Sequence, residues 1–208
     1  MTRKRFVGCI VVVWAVLASV GWTTDQVLIE AESAVISLQA GLAGKISQII
    51  PERGVTVECY GALIQGVWGN AKLGNGPLVV DLESVDGELK PSALGVTARG
   101  SVVMAGTITE EMLNLAASEE IGGLILGSLS SSLISTAQAQ PYAVIVLCGF
   151  GDHGFDEISR RVLIANDGHD LSINAVKWNR LTGDRPEVYI PLPAEAEAYT
   201  EQAVYASG

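Results

Sequence analysis

The sequence predicts a mixed α/β and α+β chain, in which a small β-rich barrel or sandwich is joined to a β-α-β-α-β unit and follows an N-terminal apolar helix. Three observations predict it. Short apolar runs at residues 101–105, 124–126 and 143–147 alternate with segments of helical period. Short strand-like runs punctuated by glycine fill residues 27–83. Three basic residues followed by a long uncharged apolar stretch open the chain.

The 208 residues suffice for one core with an appendage. A hydrophobic fraction of 49%, a charged fraction of 17% and a mean hydropathy of +0.35 exclude a disordered chain, because so much apolar surface must be buried. The net charge is −10; setting aside Arg3, Lys4 and Arg5 leaves ten basic against 23 acidic residues, or −13. Such a body repels phosphate backbones, so no nucleic-acid partner is expected. Cys9, Cys59 and Cys148 lie in no CxxC or other metal-ligand spacing, which predicts neither a disulfide framework nor a metal site.

Residues 1–24 carry the positive charges at their start and none from Phe6 to Thr24. The pattern is that of a signal peptide or membrane anchor, and it predicts membrane contact through this segment and an extracytoplasmic body. The alternative is a buried element of a truncated domain, with the body cytoplasmic. Residues 26–96 form the expected β-rich domain, with strands near 27–29, 35–38, 46–50 and 55–59 and a turn at Pro51-Glu52-Arg53-Gly54. Trp68, in a glycine-rich turn, is read either as a contact residue or as a plug of the small barrel.

The expected α/β domain covers residues 97–193. Thr107-Ile108-Thr109-Glu110 has capping-box form and opens a helix with Ile108, Met112, Leu115 and Ala116 on one face, stopped by Gly122-Gly123. A second helix is expected over 128–139 and a third over 156–166, with Phe155, Ile158 and Val162 inward. Residues 171–178 and 187–192 read as strands flanking a turn at Gly183-Asp184-Arg185-Pro186, and 194–208 as an acidic flexible tail.

Right-handed crossovers would bring the loops after the three apolar strands to one edge, where open α/β sheets bind ligands. The candidate ligand-binding residues are therefore Gly106, Thr107, Gly127, Ser128, Gly149, Phe150, Gly151 and Asp152. Glycine is also what tight strand-to-helix turns require, and these loops hold no lysine or arginine to grip a phosphate. Asp152, His153 and Asp156 would meet Asp167, His169 and Asp170 only if two loops converge; no HExxH spacing supports a metal there. GxSxG is absent, and Ser128 reads equally as a helix cap.

Several resemblances accompany these readings. Gly44, Ile46, Ile49, Gly54, Val57, Gly61 and Leu63 resemble the glycine and β-branched pattern of half a biotinyl or lipoyl-like domain, but Lys45 lies inside a strand rather than at a hairpin tip, so carrier function does not follow. Similar hairpins occur in membrane-fusion adaptors of efflux pumps. The strings at 61–69, 122–128, 149–151 and 185–191 resemble an uncharacterised family of bacterial hypothetical proteins, which implies no activity. Gly122-Gly123 within β-α-β-α-β order resembles the swivelling phosphohistidine domain, yet no histidine follows among residues 124–132.

The functional expectation is a non-enzymatic, membrane-associated or exported protein that binds a partner or small ligand at the glycine-loop edge, without a cofactor. A hydrolase or transferase at that edge, using Ser128 or the Asp152/His153 pair, and an envelope assembly module related to efflux adaptors are the alternatives.

Overall fold

The computed structural model describes residues 2–9, 18–20, 27–29, 44–51 and 54–191. These fall into a smaller unit within residues 3–59 and a larger one from residue 60 onward. The fold is mixed α+β. In the smaller unit, β1 (Thr2–Cys9) is a strand, β2 (Ala18–Val20) pairs antiparallel with β3 (Val27–Ile29), and β4 (Lys45–Ile50) forms a hairpin with the start of β5 (Gly54–Gln65). Most of the expected N-terminal apolar helix lies outside the described residues, as do the expected strand at 35–38 and the acidic tail. Among the described residues, no helix is long and apolar enough to cross a membrane.

The larger unit is organised around the expected β-α-β-α-β unit. Strands β7 (Leu73–Val80), β8 (Val102–Ala105), β9 (Gly123–Leu129) and β10 (Ala143–Phe150) run parallel in that order. Helix α1 (Leu82–Val85) follows β7, α2 (Glu110–Ser118) joins β8 to β9, and α3 (Ile134–Ala139) joins β9 to β10. Strands β8, β9 and β10 read as apolar runs because both faces are covered. On one face Val103, Leu124, Leu126, Val144 and Val146 pack under Met112, Leu113 and Ala116 of α2. On the other, Met104, Ile125 and Ile145 meet Leu78 of β7, Leu171 and Ile173 of β11 (Asp170–Asn174), Val188 of β12 (Glu187–Pro191), and Leu163 of α4 (Glu157–Ile164). Each fully buried Leu or Ile contributes about 1.5–3 kcal/mol to the folded state.

Strands from both sides of residue 97 share this sheet. The first half of β7 pairs antiparallel with β11, β11 with β12, and β12 with the second half of β5. The chain then passes from β5 into β6 (Trp68–Gly69), which pairs antiparallel with β10 at the far side. At the junction Gly66 N donates to Pro186 O at 2.8 Å and Val67 N donates to Val146 O at 2.8 Å, so one stretch of backbone joins both margins and the sheet is curled. Gly66 makes this possible: a Cβ there would lie 2.6 Å from Val146 O. Trp68 is half-buried against the α2 face of the core.

Several boundaries differ from expectation, each for a local reason. The cap of α2 is Thr109, whose Oγ1 accepts from Met112 N; Thr107 stays extended because its N donates to Gly87 O and its O accepts from Leu89 N. Gly122-Gly123 does not stop α2, which ends at Ser118; Gly122 instead allows close approach, since a Cβ would meet Asn75 O at 2.4 Å. The expected helix at 128–139 begins late, because Ser128 and Leu129 remain in β9 opposite Gly149 and Phe150. A 3-10 turn (Ser131–Leu133) and the six-residue α3 follow. In α4 the fully buried side chain is Leu163; Phe155 and Val162 are partly buried, whereas Ile158 is 77% exposed, contrary to its expected inward position. Strand β11 ends at Asn174, since Ala175 N and O turn to Lys72 O and Ala71 N.

Candidate functional site

The carboxyl ends of β8, β9 and β10 lie along one edge, as the parallel order requires. What occupies that edge is largely the chain itself. Gly106 N donates to Ser84 O, and Gly106 O accepts from Ser128 N, both at 2.9 Å. A Cβ on Gly106 would meet Gly87 O at 2.9 Å and Val85 O at 3.0 Å, and Thr107 forms a parallel bridge with Glu88. The segment after α1 therefore closes over the first loop. Gly127 is covered in the same way: a Cβ there would fall 2.6 Å from Gly154 C and 2.7 Å from Phe155 N.

Ser128 is fully buried, and its hydroxyl serves the loop after β10. Its Oγ donates to Gly151 O at 3.2 Å and accepts from His153 N at 3.0 Å. A hydroxyl committed twice to backbone groups and withdrawn from solvent ties a loop down, and among the described residues no imidazole hydrogen-bonds to it. The pairing of β9 with β10 shifts by one residue between Val146 and Gly149, a bulge that re-aims the end of β10. Beyond it Gly149 (φ +145°) and Gly151 (φ +136°) adopt conformations that favour glycine, and the His153 imidazole lies over both: a Cβ on Gly151 would be 3.1 Å from Nδ1.

The bulge also places Cys148 against the start of α4. Asp156 N donates to Cys148 Sγ at 3.2 Å, while Asp156 Oδ1 caps α4 by accepting from Ile158 N (3.0 Å) and Ser159 N (2.9 Å). Hydrogen bonds from Ser159 hold the Asp156 carboxyl below its ordinary value, and burial pushes the Cys148 thiol above its own. Neither shift activates a nucleophile. Arg160 clamps Asp86, at the end of α1, through Nε–Oδ1 (2.7 Å) and Nη2–Oδ2 (2.8 Å), and this lowers the Asp86 pKa.

The eight candidate residues thus divide. Gly106, Thr107, Gly127 and Ser128 are engaged with the protein's own backbone, whereas Phe150, Gly151 and Asp152 are exposed beyond half-buried Gly149. His169 does not join His153: its Nδ1 lies 3.2 Å from Asp167 O, and Asp167 Oδ1 accepts from Val80 N. Among the described residues no group of three or more His, Cys, Asp or Glu could hold a metal ion. Two residues on this edge were not among the candidate site residues, Leu82 in α1 (69% exposed) and Ile158 in α4, which was expected to face inward. With Phe150, 45% exposed, they are large apolar side chains turned to solvent at the strand ends. For Leu82 the signal was its place directly after Asp81, a cap residue, where a first-turn side chain points away from the sheet.

Comparison with protein-family models, with curated proteins and with solved structures finds no match to this chain.

Proposed function

We propose that the protein is a non-enzymatic binding protein, membrane-associated or exported, that engages a protein partner through the edge at the carboxyl ends of β8, β9 and β10. The observation that carries this reading is that backbone of the same chain lies within 3 Å of where Gly106 and Gly127 would place a Cβ, leaving Leu82, Phe150 and Ile158 as the solvent-facing apolar side chains there. A small anionic ligand would need the space beside those glycines; a partner needs an apolar surface fringed by polar groups, which Asp86, Arg160 and Asp152 supply.

The test is site-specific photocrosslinking in cells, with a benzophenone side chain at position 82, 150 or 158 and a control at exposed Ser92. The expected outcome is one discrete heterologous adduct shared by the three positions and absent from the control. No adduct, or an adduct only with a second copy of this chain, overturns the reading. A second reading, an envelope assembly module with lipoyl-like hairpins, is favoured by the β4–β5 hairpin, where Ile46 and Ile49 are 63% and 70% exposed. Crosslinks from position 49 to a membrane partner would support it.

A further inference from the structure

We propose that the loop joining β11 to β12 docks the protein onto an anionic lipid bilayer surface. Strand β11 runs antiparallel to β7, so this loop leaves the sheet at the edge opposite the site above and does not depend on it. Within residues 177–185 it carries Lys177, Arg180 and Arg185 and a single acid, Asp184, whose carboxylate accepts from Thr182 Oγ1. Three cations in nine residues are a local reversal of a chain whose net charge is −10. Among the described residues no ion pair engages Lys177 or Arg180.

The same loop exposes its largest apolar side chains. Leu181 is 96% exposed and Trp178 55%, with the Arg185 guanidinium 5.8 Å from the indole centroid. Nor is the tip without internal order: Asn179 N donates to Asp184 O (3.0 Å), Gly183 N to Asn179 O (2.9 Å) and Leu181 N to Asn179 Oδ1 (2.9 Å), with Gly183 at φ +78°. The backbone is preorganised while Leu181 gains almost no burial and more than half of Trp178 stays exposed within the described fold. Such an arrangement favours insertion elsewhere, because little ordering entropy is lost on docking.

The chemistry selects the occupant. Trp prefers the boundary between headgroups and acyl chains, Leu inserts below it, and Lys or Arg side chains reach back to anionic headgroups. A bilayer surface needs no matching groove. The acidity of the remaining chain is screened beyond roughly 8 Å at physiological ionic strength, so it does not cancel attraction at the tip.

The experiment uses the full chain with vesicles of phosphatidylcholine, alone or with about one third phosphatidylglycerol, read by sedimentation and by quenching of Trp emission with brominated lipid. Comparison with Trp178→Phe isolates the signal of this loop from Trp14, Trp22 and Trp68. The expected results are salt-sensitive binding to the anionic vesicles, loss of part of the quenching in Trp178→Phe, and roughly hundredfold weaker binding in Lys177→Gln/Arg180→Gln/Arg185→Gln, at about fivefold per cation. Circular dichroism checks that these solvent-exposed substitutions leave the fold intact. Trp178 quenching equal with both vesicle types, total quenching unchanged by Trp178→Phe, or a Trp178 contribution that the triple variant leaves unweakened overturns the proposal. So does a loop that ignores anionic vesicles while its Trp178 emission shifts with polyglutamate, which would assign it to an acidic protein partner.

Discussion

Replacing Gly127 by alanine separates a glycine that makes room for a ligand from one that makes room for the chain. Its added Cβ would lie 2.6 Å from Gly154 C, 2.7 Å from Phe155 N and 2.9 Å from Gly154 O, all backbone atoms that no rotamer change can move. Reaching ordinary contact near 3.4 Å demands a displacement of about 0.5–0.8 Å, which is passed to the Asp156 cap of α4 and to the Ser128 bonds that hold the loop. Overpacking of this kind costs about 1–3 kcal/mol, and the rigidity of the obstructing backbone puts Gly127→Ala in the upper half. For a chain of this size that corresponds to a melting temperature lower by roughly 5–10 °C. Thermal denaturation measures it, and amide exchange across residues 148–157 locates it. Gly168→Ala is the control: φ is +75° but nothing lies within 4 Å, so the change costs only about 1–2 kcal/mol of backbone strain. Stability of Gly127→Ala within about 0.5 kcal/mol of the parent would refute the reasoning, because packing this tight does not absorb a methyl group for so little.

Three further predictions follow from named groups. Ser128→Ala removes two hydrogen bonds to the loop and is expected to lower stability by about 1–2 kcal/mol and to accelerate exchange of the His153 amide; Ser128 should also resist labelling by a fluorophosphonate, and labelling would restore the nucleophile reading. Asp156 has its folded pKa depressed, so its contribution is complete above the unfolded value of about 3.9 and is lost as pH falls through the lower folded value. Asp156→Asn keeps a cap but not the titration, so denaturation curves of parent and variant should converge below about pH 4, and parallel curves would contradict the assignment. Tyr142→Phe leaves the Leu113 carbonyl without its 2.9 Å donor in a buried setting, for an expected loss of about 1–3 kcal/mol in urea denaturation.

How much of this was legible depends on where the deciding contact lies along the chain. Residues 102–105, 124–126 and 143–147 announced themselves as parallel strands because each carries apolar side chains on both faces, a pattern that local sequence displays directly. Thr107 and Ser128 were misleading for the opposite reason: each resembles a helix cap, but each is held extended by a partner far away in sequence, Gly87 for one and Gly149 for the other. Gly122 illustrates a degeneracy of residue type. A helix stop and a close approach to Asn75 both require glycine, and only the approach is made. Ile158 fell on the expected inward stripe of α4, but a helix of eight residues has few inward positions and Leu163 takes the deepest of them.

The loop at 177–185 was read only in part, since the sequence places 177 and 178 at the end of a strand and only 183–186 in a turn. Ala175 turns toward residues 71 and 72, which takes Trp178 out of the sheet. Its position also makes the two proposals independent. β10 is eight residues long, so its two ends lie roughly 25 Å apart, several Debye lengths at physiological salt. Substitutions at Phe150 or Ile158 should therefore leave vesicle binding unchanged, and those at Arg180 or Leu181 should leave photocrosslinks at the opposite edge intact, since sites so far apart with no shared contact combine additively. If binding to the lipid surface and capture of the partner instead rose or fell together, a single composite surface would be engaged, and the separation of the two edges along β10 would have to be abandoned as the basis of either role.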